Sequence, residues 1–364
     1  MTTKGELTRR GFLRSAAAVA LTVGSGTSAL AQETRDDGNV KSWEGDRNMK
    51  KEIEGLRWRP RWVSHLGCVK GCLEYLGSDV SWAWLFGGTG HAFILNIHEV
   101  VCPSGPTAWN CGPLLFDFPP NLGYSLVGIH GDKGAPDFAA KQKAAWALVR
   151  GCVDLGIPCY GWELDVPEYY VVFGYDDVGY YYSGPMCDEG KGPKPWEELG
   201  DTDIGALDMY CVQASEATSD AQAVKNALSY AVQHAENRPE WTFPDYAAGQ
   251  KGYAMWAEAL EQGMADRFGH GFNAVVWAEC REEAVNFLTE AKARLPGKAD
   301  GLFDEAIGHY TIVRDKLKAV SEIHPFAHEA EGKLKSPEAA KLVRQAAAAE
   351  QKGLRALAGI AASV

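Results

Sequence analysis

The residues able to do chemistry gather in a few short segments. In Leu66-Gly67-Cys68-Val69-Lys70-Gly71-Cys72-Leu73-Glu74-Tyr75-Leu76-Gly77, two cysteines lie one helical turn apart. A helix is expected over Val69 to Leu76, which puts Cys68 where it begins. The free amides and dipole of a helix N-terminus favour a thiolate there. Such a thiolate attacks acyl carbons, so Cys68 is a candidate nucleophile, ahead of Cys72. The alternative for both, and the favoured one, is a core or disulfide cysteine.

A second segment is Gly87-Gly88-Thr89-Gly90-His91-Ala92-Phe93. No Lys-Ser/Thr follows the glycines before a helix, which excludes a phosphate cradle. His91 opens a strand expected over Ala92 to Ile97. It suits a general base, a ligand or an orienting group, and a structural histidine as well. His98 follows at an odd spacing, on the opposite strand face, so the two do not share a metal ion.

The third segment runs from Gly156 through Glu163-Leu164-Asp165-Val166-Pro167-Glu168 to Asp177. Glu168 leads into an apolar strand and is flanked by aromatics. Burial there raises a carboxyl pKa and fits it for acid/base work. The alternative is a carboxylate bound to loop backbone. Glu163 and Asp165 are lesser candidates. Cys102-Pro103-Ser104-Gly105-Pro106 reads as a structural turn.

Two textures must position these residues. Residues 55–216 mix short strands and helices and are rich in Gly, Trp, Tyr, Cys and Pro. Tyr169–Phe173 and Tyr180–Tyr182 flank Asp176-Asp177-Val178-Gly179, which predicts a hairpin. A helix is expected over Phe138–Leu155, stopped by Gly156 and Pro158. Residues 217–364 carry sustained helical periodicity. Helices are expected near 220–237, 250–267, 271–294, 301–322 and 336–360, separated by prolines. Trp256 and Trp277 are assigned to their core. Glu279 and Arg281 are assigned to a solvated helix face.

Ahead of both, Thr8-Arg9-Arg10-Gly11-Phe12-Leu13 and a run closing on Ala29-Leu30-Ala31 read as a twin-arginine signal peptide over 1–31. Its apolar run is too short and too rich in Gly, Ser and Thr to stay as an anchor, so no stable membrane insertion is expected after cleavage. A polar linker fills 32–54. The expected location is periplasmic or extracellular. The chain carries a net charge of -12. Loss of Lys4, Arg9, Arg10 and Arg14 against Glu6 leaves the mature part more acidic still, which argues against nucleic acid and anionic membranes. The nine cysteines are an odd number. At least one is therefore free, intermolecular or catalytic.

The third segment, with Tyr-Tyr-Tyr-Ser-Gly-Pro after it, resembles the second half of bacteriocin-processing-type cysteine peptidases. Over roughly residues 60–325 the chain is also similar to the butirosin-biosynthesis acyltransferase family. That similarity rests on Gly-Thr-Gly-His-Ala-Phe, the Gly-Tyr-Asp-Asp hairpin, and the helices carrying Trp256 and Ala278-Glu279-Cys280-Arg281. It implies an α+β fold: a papain-like cysteine-peptidase-type domain followed by an all-α helical domain. Peptidases of this type carry a histidine where Glu168 stands and an Asp-Pro where Gly184-Pro185 stands. Their cysteine lies somewhat further upstream of Gly77 than Cys68 does.

The expectation is an exported amide- or acyl-transfer enzyme, hydrolase or acyltransferase. Cys68 would be its nucleophile, with His91 or Glu168 as acid/base. The competing reading is a catalytically degenerate papain-like protein that binds a peptide or small molecule. A third is a metal enzyme using His91, Glu168 and a cysteine. No motif marks a cofactor. The oligomeric state is open.

Overall fold

The computed structural model describes residues 50–364. The expected signal peptide and most of the expected linker lie outside them. In chain order the elements are β1 (Lys51–Glu52), α1 (Ser64–Tyr75), α2 (Trp82–Gly88), β2 (Asn96–His98), β3 (Tyr124–Asp132), α3 (Phe138–Asp154), β4 (Cys159–Trp162), β5 (Tyr169–Tyr175), β6 (Gly179–Gly184), β7 (Cys187–Pro195) and β8 (Ala206–Ala214). There follow α4 (Asp220–Ala235), β9 (Tyr246–Ala248), α5 (Gly249–Gln262), β10 (Ala265–Asp266), α6 (Arg267–Arg294), α7 (Asp300–Ile323), β11 (Lys333–Leu334) and α8 (Pro337–Ser363). The fold is mixed α and β.

The chain forms two compact units. The first holds the described residues up to Ser78 together with Leu126–Ala214, and the second holds Asp79–Ser125 with Ser215–Val364. Past the expected signal and linker, the sequence pattern puts one boundary, at 216/217. Residues 79–125, assigned there to the first domain, pack with the second unit.

The first unit is built on a seven-stranded sheet in the order β3-β8-β4-β5-β6-β7, with β1 on β5. Pairing is antiparallel from β8 through β7. The aromatic and β-branched run Tyr169–Phe173 makes β5 a central strand, buried over almost its whole length. The hairpin at Asp176–Gly179 forms as expected, with the Asp176 carboxylate accepting from the amides of Val178 and Gly179. Helix α3 buries Ala145, Val149, Cys152 and Val153 and stops at Gly156, whose φ is +69°.

Helix α1 begins at Ser64 and not at Val69. The reason is tertiary. A Cβ on Gly71 would sit 2.0 Å from the Arg57 carbonyl oxygen, and one on Gly67 would sit 2.2 Å from Trp58 Nε1. Segment 57–59 therefore lies directly on the helix. The Gly67 carbonyl accepts from the Arg59 amide, and the Ser64 carbonyl from the Trp58 indole. These glycines, poor helix formers in isolation, are held helical by that packing.

The second unit is mainly helical. Helix α8 packs on α4, α5 and α7, and α6 packs on α2 and α7. Buried Ala339, Ala340, Val343, Ala346, Leu357 and Ile360 form the inner stripe of α8. The expected helices stand near where the periodicity placed them, except that the one expected near 250–267 stops at Gln262, where Gly263 takes a left-handed φ of +75° ahead of β10; Trp256 and Trp277 are core residues. Arg281 differs: it is fully buried and pairs with Glu350 at 2.7 Å. It also donates to the carbonyls of Ala92 and Ile94. Its assignment to a solvated face fails because a carboxylate from α8 and the carbonyls after His91 meet it in the core. Among the described residues no helix is long and apolar enough to cross a membrane.

Candidate active site

Each residue singled out from sequence has a definite place. Cys68 is in α1, a full turn past its start, and has no solvent exposure. Burial pushes its thiol well above the ordinary range, and the nearby Cys72 and Glu168 push the same way. The thiol form therefore dominates. Cys72, also buried, has its thiol pushed up by burial. His91 belongs to the second unit. It sits in a single 3-10 turn, His91–Phe93, and not at the start of a strand. The left-handed Gly90, φ +79°, reverses the chain just before it. Its ring packs edge-on to Trp109, 5.7 Å between centroids. The structure thus brings Cys68 and Glu168 into one unit and places His91 in the other.

Glu168 has a partner that sequence reasoning passed over. The Ser64 hydroxyl donates to Glu168 Oε2 and accepts from the Tyr169 amide at 3.0 Å. Both positions follow from local structure. Ser64 is the first residue of α1, and Glu168 ends the loop that feeds β5. That loop is closed on itself: the Glu163 amide donates to the Glu168 carbonyl at 2.8 Å. Glu163 accepts from the Thr202 hydroxyl at 2.8 Å, and Asp165 from Lys191 at 2.8 Å. Ser64 is 3% exposed. Burial raises the Glu168 carboxyl to about 7, against the opposing hydrogen bond from Ser64.

Tyr169 joins this pair to a second one. Its hydroxyl reaches Asp208 Oδ2 at 3.4 Å, while Asp208 Oδ1 accepts from Tyr210 at 2.9 Å and lies 2.5 Å from His130 Nδ1. The hydrogen bond to Asp208 raises the His130 pKa, against burial. His65, next to Ser64, touches the Tyr160 hydroxyl at 3.0 Å through Nε2 and packs on Tyr169, 5.2 Å between centroids. Burial lowers its pKa to about 4, so it is neutral at physiological pH.

Chemically, the arrangement offers a hydroxyl at a helix N-terminus, hydrogen-bonded to a carboxyl that changes charge near neutrality. The first helical hydrogen bond of α1 runs from the Gly67 amide to the Val63 carbonyl, and the positive end of the helix dipole suits a developing oxyanion. Neither Ser64 nor the His130–Asp208 pair was found from sequence. The available signal for Ser64 was the upstream displacement of the peptidase cysteine relative to Cys68. Among the described residues, the side chains close enough together to hold a metal ion are Cys152, Cys159 and Cys211.

In comparison with known proteins, no family model matches the chain, and no curated protein matches it.

Proposed function

We propose that this protein is an exported acyl- or amide-transfer enzyme of papain-like descent whose reacting group is the Ser64 hydroxyl. Glu168 is its general base. The hydrogen bond between Ser64 and Glu168 carries this reading. In the resembled peptidases the nucleophile starts a helix and the base leads into the strand after the Gly-Ile-Pro segment. Here Ser64 starts α1, Glu168 leads into β5, and their side chains meet, which supports the reading. Cys68 is buried, and its thiol is pushed up by burial.

The step follows from the groups. Ser64 Oγ bonds to the acyl carbon of an ester, thioester or amide as its proton passes to Glu168. The positive end of the α1 dipole stabilises the oxyanion. The bond to the leaving group then breaks, and the proton goes from Glu168 to that group. Water or an acceptor amine or hydroxyl next attacks the acyl carbon of the acyl-Ser64 ester and gives its proton to Glu168; the bond from that carbon to Ser64 Oγ breaks, Glu168 returns the proton to Oγ, and the product leaves.

A second reading is favoured by the burial of the pair: a binding protein that holds a peptide or small molecule and does no chemistry. Turnover of a panel of acyl thioesters and aryl esters separates the two. Enzymic turnover that falls by more than about a hundredfold in Ser64→Ala and Glu168→Gln supports the enzyme. Absence of turnover on every member, with binding retained in both variants, supports the binding protein.

A further inference from the structure

The core of the first unit contains a feature that acyl transfer does not use. Cys152 on α3, Cys159 on β4 and Cys211 on β8 turn their sulfurs toward one point. Cys152 Sγ lies 2.7 Å and Cys159 Sγ 3.2 Å from Cys211 Sγ. All three sulfurs lie within 4.8 Å of one another, and all three residues are buried. The backbone imposes this convergence. Cys159 and Cys211 are register partners on neighbouring antiparallel strands. Helix α3 packs across β4 and β8 and brings its buried stripe, Cys152 included, onto the same spot.

We propose that Cys152, Cys159 and Cys211 form a buried three-thiolate site for a thiophilic divalent metal ion, zinc being the abundant ion of that class. Zinc binds cysteine sulfur at about 2.3 Å, which sets sulfurs around one ion roughly 3.8 Å apart in a tetrahedron. The three sulfurs, all within 4.8 Å of one another, lie close to that spacing.

Number and burial argue against a simple disulfide. A disulfide uses two sulfurs, whereas Cys211 is approached by two partners. None of the three sulfurs is open to a disulfide-bearing oxidant in the folded chain. Charge argues for a divalent ion over a monovalent one. Three buried thiolates are costly, and a divalent ion cancels two of the three charges where copper(I) cancels one. The remaining coordination position falls to water or to a further ligand. Cys72, another buried thiol, acts electrostatically on Cys211.

The test is metal analysis of the full chain, purified without chelator, together with a thiol count. The expected result is about one zinc per chain. Replacement by cobalt(II) should give sulfur-to-cobalt charge-transfer absorption in the near ultraviolet, a readout that needs no variant. Cys159→Ser should lower bound zinc by more than tenfold, and Cys280→Ser, in the second unit, should leave it unchanged. Alkylation after unfolding with chelator should find all nine cysteines as thiols. The proposal is overturned if zinc stays below about a tenth per chain and cobalt gives no thiolate band. That holds whether all nine thiols are then alkylated or two are missing as a disulfide.

Discussion

Ser64 and Glu168 lie 104 positions apart in the chain and share a hydrogen bond between the first residue of a helix and the last residue of a loop. The Ser64 hydroxyl also accepts from the amide next to Glu168, at 3.0 Å. The serine is thus fixed at two points, and a hydroxyl fixed in this way beside a carboxyl of raised pKa is prepared for proton transfer.

The pH dependence of stability should report Glu168. Its carboxyl is raised from 4.5 to about 7 by burial. The folded state therefore holds its proton more tightly than the unfolded state does. The associated stability is complete below about pH 4.5 and is lost as pH rises through 7. The loss is on the order of 3 kcal/mol at about 1.4 kcal/mol per pKa unit. Denaturant unfolding at pH 5 and pH 8 should show it in the native chain and much less of it in Glu168→Gln. Because the base form of Glu168 is the reactive one, turnover should rise over the same range, with a midpoint near 7.

Cys68 should be dispensable for chemistry. With no exposure and a thiol held protonated by burial, it should resist thiol reagents in the folded chain. Cys68→Ala should keep turnover within about threefold. Loss of turnover in Cys68→Ala but not in Ser64→Ala would return the nucleophile to the cysteine.

His130 should titrate above the ordinary histidine range, because the hydrogen bond to Asp208 stabilises its charged form. Whatever stability the pair contributes is present below the unfolded pKa and is lost as pH rises through the folded one. Ring-proton NMR should show the His130 midpoint moving down in Asp208→Asn. An unchanged midpoint would remove Asp208 as the cause.

Two packing predictions test the frame. In the second unit, Arg281→Met strands the buried Glu350 carboxylate and should cost about 3–5 kcal/mol. The double variant Arg281→Met/Glu350→Gln should cost less. In the first unit, Gly71→Ala drives a methyl into the Arg57 carbonyl, 2.0 Å away, and should cost about 1–3 kcal/mol or more. Because the same contact sets the start of α1, turnover should fall with it. Both are read from denaturant unfolding curves.

Much of this was legible in the sequence. Sustained helical periodicity broken by prolines placed α4 to α8, and the aromatic and β-branched runs on either side of Asp176–Gly179 placed the β5–β6 hairpin. The missing parts depend on contacts between distant segments. Local propensity hides a helix start containing Gly67 and Gly71, and segment 57–59 reveals it. For Ser64 the one sequence signal is the upstream offset of the peptidase cysteine, and its carboxylate partner appears only in the fold. His130 and Asp208 become neighbours only through the β3–β8 pairing. Arg281 reads as a surface charge until Glu350 arrives from α8.

The most direct test of the central claim is peptide-level mass spectrometry after brief incubation with an activated aryl ester. The account predicts one acyl group on the peptide bearing Ser64, absent in Ser64→Ala and strongly reduced in Glu168→Gln. An acyl group on Cys68, or no adduct on Ser64 from an ester that the protein turns over, would contradict it.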